Sequence, residues 1–250
     1  MRRWLDGFLD VLFPATCEVC GGPLRGPGER SLCRACLGTI APPPAPLCPT
    51  CGVPVAAPAE PCPPCRSVPP AFAVARAAGL YVPSAAGGNV LARAVQRLKY
   101  DRRRAIAGVL GALMAARYPF APDAVLVPVP LHARRLRARG FNQAELLAVE
   151  VARRRGLAVA PTALARPRAT TAQPGLGAAA RRQNLHDAFR VVRPDAFEGR
   201  DVVLVDDVLT TGATADACAR VLRAAGAVRV AVFTLGRAPS PALDGPPHRR

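Results

Sequence analysis

The fold is decided by one stretch of the sequence, Val202-Val203-Leu204-Val205-Asp206-Asp207-Val208-Leu209-Thr210-Thr211-Gly212-Ala213-Thr214. Its apolar run predicts a buried strand over residues 201–205, which ends in two adjacent carboxylates, Asp206 and Asp207. A small, hydroxyl-rich loop, 210–214, then leads into a helix. A buried strand followed directly by a helix is typical of a parallel α/β sheet, where ligands bind at the carboxyl ends of the strands.

Strand and helix patterns alternate on both sides of this stretch. The alternation begins near residue 70 and predicts a mostly parallel sheet flanked by helices. The further strands are predicted at 79–82, 124–129 and 228–235. The helices are predicted at 90–98, 103–117, 142–155 and 214–225.

The loop after the predicted strand has the composition of a phosphate site. Thr210 to Thr214 offers backbone N–H groups and hydroxyls at a helix N-terminus, where the helix dipole favours an anion. Two carboxylates beside a phosphate would repel it unless they face another group. Ribose hydroxyls, with Mg²⁺ nearby, meet that requirement, so Asp206 and Asp207 are candidates for binding a sugar.

Eight of the nine cysteines form four CxxC pairs in the first 65 residues. Two CxxC turns complete a tetrahedral site of four thiolates for Zn²⁺, so the series predicts two structural zinc ions; a single pair would leave redox chemistry as a competitor. Two arrangements remain open. In the first, the first four cysteines bind one zinc ion and the last four bind the other; in the second, the pairs are interleaved. The cysteines are Cys17, Cys20, Cys33, Cys36, Cys48, Cys51, Cys62 and Cys65.

The remaining features concern the organisation and location of the chain. Asp6 and Asp10 interrupt any signal-peptide core, and residues 4–12 predict a short amphipathic helix. No unbroken apolar run has the length of a membrane span, so a cytoplasmic protein is expected. Cys218, alone on a helix, predicts a buried small side chain. Three segments are predicted: a cysteine head (residues 1–70), an α/β domain (71–237) and a disordered tail (238–250).

The net charge of +17 is carried almost entirely by the part of the chain after the cysteine head. Residues 71–250 contain 28 basic and 12 acidic residues. Such an excess favours a polyanionic partner, such as single-stranded DNA. The alternative is compositional bias, because Lys99 is the sole lysine and every other basic residue is an arginine.

The stretch from Val202 to Thr214 resembles the phosphoribosyl pyrophosphate signature of type I phosphoribosyltransferases along its whole length. The resemblance implies that Asp206 and Asp207 hold the ribose diol and serve catalysis. It also implies that the loop holds the 5′-phosphate. The loop residues so implied are Thr210, Thr211, Gly212, Ala213 and Thr214.

Three further stretches, together with the cysteine head, identify the chain as similar to the ComF family. They are Leu98-Lys99-Tyr100, the segment from Val127 to Gln143, and the segment from Arg166 to Phe189. The resemblance covers nearly the whole chain. It implies a zinc-binding head on a type I phosphoribosyltransferase-like α/β domain, with Mg²⁺ accompanying phosphoribosyl pyrophosphate.

Cationic residues complete the candidate site. A predicted loop, 131–140, follows a buried strand and carries four arginines that can hold pyrophosphate oxygens. Arg134 and Arg135 are the candidates there, and Lys99 could reach a phosphate or be solvated at a helix end. Residues 166–184 mix Arg, Thr, Gln and Gly, which is typical of a mobile lid, with an ordered linker as the alternative.

Two functions of different classes fit these features. One is a phosphoribosyltransferase acting on a nucleobase or another small acceptor, which the sequence does not name. The other is a ligand-binding protein that handles single-stranded DNA, since the ComF family is linked to natural competence. In the second case the partners would include DNA and proteins of the competence machinery.

Overall fold

The computed structural model describes residues 15–24, 26, 29–57, 60–101, 103–167 and 188–240. In chain order, its elements are α1 (Arg34–Gly38), α2 (Pro63–Ser67), β1 (Val74–Leu80), α3 (Val90–Tyr100), α4 (Ile106–Ala116), β2 (Val125–Pro128), α5 (Ala133–Arg139), α6 (Gln143–Arg155), β3 (Leu164–Ala165), β4 (Arg190–Val191), a 3-10 turn (Pro194–Ala196), β5 (Asp201–Leu209), α7 (Ala213–Ala224) and β6 (Arg229–Arg237).

Four parallel strands form the central sheet, in the order β1-β6-β5-β2. Alternate residues of β5 enter two separate cores, because successive side chains of a strand point to opposite faces. Val203 and Val205 pack in a core with α3, α4 and α6, whereas Val202 and Leu204 pack in a core with α7. Helices therefore cover both faces of the sheet, and the predicted α/β class is confirmed.

The cysteine head packs along β1, an edge strand of this sheet. Ala75 N donates to Thr50 O at 2.6 Å, and Leu80 N donates to Ala41 O at 2.9 Å. Gly52 makes this approach possible, because its φ is +66° and an added Cβ would lie 2.5 Å from Ala75 O. The backbone of the head thus extends the hydrogen bonding of the sheet edge.

Three predicted elements differ from the structure. β5 does not end at Val205 but runs to Leu209, because Asp206 and Val208 stay in register with residues of β6. β1 covers Val74–Leu80 rather than 79–82. The predicted loop at 131–140 contains helix α5, which begins after His132 and ends at Gly140, whose φ is +79°.

The other predicted helices of the α/β domain lie within three residues of α3, α4, α6 and α7. Some predictions fall outside the described residues: the amphipathic helix at 4–12, most of the 166–184 segment and nearly all of the tail. Within the described ranges, no helix is both long and apolar enough to cross a membrane.

Candidate functional site

Asp206 and Asp207 lie side by side near the carboxyl end of β5, inside the strand rather than after it. Because neighbouring side chains of a strand point to opposite faces, the two carboxylates face different helices. Asp207 meets Lys99 at the end of α3, and Asp206 interacts electrostatically with Arg166. Both acids therefore lie near the carboxyl edge of the sheet, which is where parallel α/β sheets bind ligands.

Lys99 and Asp207 form a buried ion pair. Lys99 Nζ lies 2.8 Å from Asp207 Oδ1, with side-chain exposures of 20% and 6%. Burial disfavours the charge of Lys99, but attraction to Asp207 outweighs it and raises the lysine's pKa above its usual value. The second carboxylate oxygen, Asp207 Oδ2, is buried and has no hydrogen-bond partner among the described residues. That oxygen is therefore an unused hydrogen-bond acceptor.

Asp206 is electrostatically different from its neighbour. Its Oδ1 accepts a hydrogen bond from Asp207 N at 2.8 Å. Burial, and then the charge of Asp207, raise the pKa of Asp206 to about 7, although Lys99 acts in the opposite direction. Asp206 is therefore poised to change its protonation near neutral pH.

A short turn, Thr210–Gly212, connects β5 to α7. Gly212 has a φ of +81° and caps α7 without a side chain, so no cap occupies the helix N-terminus. Among the described residues, the side-chain hydrogen bond made here is long, with Ala213 N donating to Thr211 Oγ1 at 3.4 Å. The first N–H groups of a helix lack intrahelical partners, so this turn presents donors that suit a phosphate. Of the predicted loop, Ala213 and Thr214 belong to the first turn of α7.

A cavity of about 360 Å³ opens beside the ion pair. Its lining residues come from the end of α3 and from α5: Lys99, Tyr100, Arg135, Ala138 and Arg139. The guanidinium of Arg139 lies 5.4 Å from the ring centroid of Tyr100, and Arg139 Nη1 donates to Gln143 Oε1 at 2.8 Å. Three cations and an exposed aromatic ring make this a cavity for an anion with a flat group.

The two arginines predicted to bind pyrophosphate, Arg134 and Arg135, lie in different surroundings on α5. Arg135 lines the cavity, whereas Arg134 lies exposed at the start of the helix, where its N–H donates to His132 Nδ1. Arg166, which follows β3, is held over the ring of Phe189 at 5.1 Å. Burial, and then repulsion from Arg135, lower the pKa of Arg166, so these two cations are near neighbours.

Sequence reasoning did not identify Tyr100 or Arg237 as candidate site residues, and it counted Arg139 among four arginines of the 131–140 segment without singling it out. Tyr100 and Arg139 carried a signal, because both lie in stretches that resemble the ComF family. Arg237 carried no such signal in the sequence, because it is a single arginine at the end of a strand and lies outside those stretches. In the structure it is buried and donates to Leu209 O and Thr210 O, which belong to the end of β5 and to the turn.

The first four cysteines form one cluster and the next four form a second, so the sequential pairing is correct and the interleaved one is not. Within each cluster all four Sγ atoms lie within 4.8 Å of one another. The Sγ atoms of Cys20 and Cys33 are 3.8 Å apart, and those of Cys51 and Cys62 are 3.6 Å apart. A tetrahedral zinc site with Zn–S bonds of about 2.3 Å requires sulfur pairs about 3.8 Å apart. We name them the first cluster (Cys17, Cys20, Cys33, Cys36) and the second cluster (Cys48, Cys51, Cys62, Cys65).

The surroundings of the sulfur atoms also fit zinc. Backbone N–H groups donate to the sulfurs: Cys36 N to Cys33 Sγ at 3.4 Å, and Cys62 N to Cys48 Sγ at 3.3 Å. A hydrogen bond from Cys65, and the charge of Arg237, lower the pKa of Cys51 to about 4. Cys51 is therefore favoured as a thiolate, which is the form that binds metal, whereas burial raises the pKa of Cys62 to about 11. Cys218 is buried away from both clusters, as predicted.

Comparison with known proteins adds to this geometry. The double zinc ribbon domain family matches residues 8–66, which contain both clusters. The DNA utilization protein YhgH of Salmonella typhi is 40% identical over 151 residues, covering 57% of this chain and 65% of that protein. Competence protein F of Haemophilus influenzae is 41% identical over 118 residues, covering 47% and 51%. This chain thus spans just under two thirds of the YhgH proteins and about half of competence protein F.

Among solved structures, the glutamine phosphoribosylpyrophosphate amidotransferase of B. subtilis is similar to 58% of this chain and 26% of its own. Its sequence identity is 23% and its TM-score is 0.35, which is too low to carry an argument about the ligand. The N-terminal part of this chain is thus similar to the double zinc ribbon domain family, and 57% of the chain is similar to the YhgH proteins.

Proposed function

We propose that the protein binds phosphoribosyl pyrophosphate together with Mg²⁺ at the carboxyl end of β5. The observation that carries this proposal is the buried oxygen Asp207 Oδ2, which has no hydrogen-bond partner among the described residues and lies on the strand that leads into the uncapped N-terminus of α7. A buried carboxylate oxygen without a donor is costly unless a ligand supplies one. A sugar phosphate supplies both a hydroxyl for the acid and a phosphate for the helix.

The ribose diol is assigned to the two acids. One hydroxyl donates to Asp207 Oδ2, whose partner oxygen is already occupied by Lys99. The other donates to Asp206. Its carboxyl group has a raised pKa, and a Mg²⁺ ion bound nearby with the ligand would favour its ionised form. The chain's own lysine thus orients Asp207 before the ligand arrives.

The 5′-phosphate is assigned to the turn Thr210–Gly212 and the first turn of α7. Gly212 leaves space because it has no side chain, and its positive φ is typical of backbone turns whose N–H groups bind anions. The exposed hydroxyls of Thr210 and Thr211 add donors. This arrangement needs no cationic side chain at the phosphate, because the helix dipole supplies the positive potential.

The pyrophosphate is assigned to the cationic cavity. Arg135, Arg139 and Lys99 line it and can neutralise the charge on its oxygens. Mg²⁺, if it binds with the ligand beside Asp206 and Asp207, would neutralise further charge there. The role of this chain's residues is to hold the sugar and the leaving group in a fixed relation to each other.

We further propose that the bound state serves the handling of single-stranded DNA. The relatives are named for DNA utilization and competence, and residues 71–250 carry a large positive excess. Tyr100 is 71% exposed beside the cavity, so its ring is available to stack on a base.

The alternative function is transfer of the phosphoribosyl group to a nitrogen of a nucleobase. In that reaction the bond from ribose C1 to pyrophosphate breaks, a bond from C1 to nitrogen forms, and the nitrogen loses its proton. The exposed ring of Tyr100 beside the pyrophosphate cavity would then stack on the base to be modified.

Calorimetric titration of the full chain tests the ligand proposal. Phosphoribosyl pyrophosphate with Mg²⁺ is compared with ribose 5-phosphate, which retains the phosphate and diol but lacks the pyrophosphate. We expect saturable binding of the first ligand and at least tenfold weaker binding of the second, because the cavity cations lose their partner. Equal affinities would show that the pyrophosphate does not bind in the cavity. No binding of either ligand would refute the proposal.

A further inference from the structure

Arg237 connects the second cluster to the turn that follows β5. It is the last residue of β6 and is 4% exposed. On one side, its Nε donates to Cys51 O at 3.1 Å, and its Nη2 lies 3.7 Å from Cys51 Sγ. On the other side, its Nη1 donates to Leu209 O at 3.0 Å and to Thr210 O at 2.8 Å. One guanidinium therefore joins a metal ligand to the backbone of the candidate phosphate turn.

The buried positive charge of Arg237 is compensated by a group other than a carboxylate. Among the described residues, no carboxylate lies within ion-pair distance of it, although it is buried. A buried cation is costly unless it is paired and hydrogen-bonded. Four thiolates around one Zn²⁺ carry a net charge of about −2, and this charge lies next to the guanidinium. The metal-loaded second cluster is the group that compensates Arg237.

The turn depends on Arg237 for much of its support. Leu209 O also accepts from Ala238 N at 3.0 Å, but Thr210 is exposed and Gly212 has no side chain to hold it. The bonds from Nη1 thus fix the carbonyls that immediately precede the uncapped start of α7. Their orientation decides which way the following N–H groups point.

We propose that Arg237 is a positioning residue through which the metal-loaded second cluster holds the Thr210–Gly212 turn in its ligand-binding conformation. The second cluster then does more than stabilise the cysteine head. Loss of its metal removes the counter-charge of Arg237 and releases the turn. The first cluster has no such route, because its residues pack with α3 and α4 in the core on the opposite face from α7.

Hydrogen exchange of the full, zinc-loaded chain tests this inference without any ligand. The variants are Cys51→Ser, which should reduce the zinc content from two to one, and Arg237→Met. We expect the backbone amides of residues 209–215 to exchange about tenfold faster in both variants. Should Arg237→Met fail to fold, Arg237→Lys keeps the charge but cannot reach both sides at once, and the same acceleration is expected.

Arg76→Met provides the matched control. Arg76 Nη1 donates to Pro49 O at 3.2 Å, so it also contacts the second cluster's segment, but no contact joins it to the turn. In the Arg76→Met variant, the backbone amides of residues 209–215 should exchange as fast as those of the unchanged protein. Equal acceleration in Arg76→Met, or none in Arg237→Met or Arg237→Lys, would overturn the inference.

A second measurement rests on the proposed function: Arg237→Met should also bind phosphoribosyl pyrophosphate about tenfold more weakly. If the unchanged protein does not bind this ligand, the proposed function fails, whereas the exchange experiment still decides whether the second cluster controls the turn. Unchanged affinity in a variant whose turn exchanges faster would show that the turn does not hold the ligand.

Discussion

Lys99 Nζ lies 2.8 Å from Asp207 Oδ1, and both side chains are largely withdrawn from solvent. This ion pair joins the end of α3 to β5, the strand that carries the candidate site. The pair also leaves the second oxygen of Asp207 as the unpaired acceptor that the proposed ligand would fill.

Replacing Lys99 with Met should destabilise the protein by about 3 kcal/mol, because it leaves a buried carboxylate without its partner. The double variant Lys99→Met/Asp207→Asn should recover most of that loss, since the remaining side chain is neutral. Urea denaturation of the single and double variants measures both changes. Losses that simply add would show that the two side chains do not act as a pair.

Asp206→Asn should stabilise the protein increasingly as the pH rises. The carboxyl pKa of Asp206 is raised from 3.8 to about 7 in the folded protein. Ionising this group therefore costs folding free energy between about pH 4 and pH 7, and an amide avoids that cost. The advantage of the variant should be about 2 kcal/mol larger at pH 8 than at pH 5. Paired denaturation curves at the two pH values check this, and an advantage that shrinks with pH would contradict the assignment.

The two clusters should hold two zinc ions per chain. Elemental analysis of zinc-loaded protein should give two, and Cys17→Ser and Cys48→Ser should each give one, because the clusters share no ligand. Cys218→Ser is the control and should keep both ions. One ion or fewer in the unchanged protein would refute the two-site assignment.

Binding of single-stranded DNA should be weak, insensitive to sequence and strongly salt-dependent. If about five phosphates are contacted, the logarithm of affinity should fall against the logarithm of salt concentration with a slope of about −3.5. Fluorescence anisotropy of a labelled oligonucleotide measures this slope. Arg134→Ala/Arg135→Ala should reduce its magnitude, whereas Arg193→Ala, whose guanidinium pairs with Asp195, should not. Absence of binding at low salt would leave the arginines as compositional bias.

Much of the architecture could be predicted from the sequence because it is encoded locally. The apolar run before Asp206 indicated the central strand, and the CxxC spacing indicated the clusters. The end of β5 could not be predicted, because adjacent aspartates disfavour a strand unless pairing with β6 overrides their preference. Helix α5 was also missed: four arginines in seven residues show no apolar period, although His132 and Gly140 are end signals.

The interactions between residues of the site were harder to predict from the sequence. Lys99 was a candidate, but its pairing with Asp207 depends on where α3 ends above β5, which no local pattern records. The role of Arg237 likewise depends on the cysteine head returning to the end of β6, across 186 positions of sequence. Contacts of this kind are decided by tertiary packing.

The acid pair is the centre of the account, and calorimetry of Asp206→Asn/Asp207→Asn with phosphoribosyl pyrophosphate and Mg²⁺ tests it most directly. The exposed Asp195→Asn serves as the control, and circular dichroism verifies that each variant is folded. We predict at least about 100-fold weaker binding in the double variant, because two charge-assisted hydrogen bonds to the ribose are lost. Undiminished affinity in a folded double variant would show that the ligand does not bind at Asp206 and Asp207.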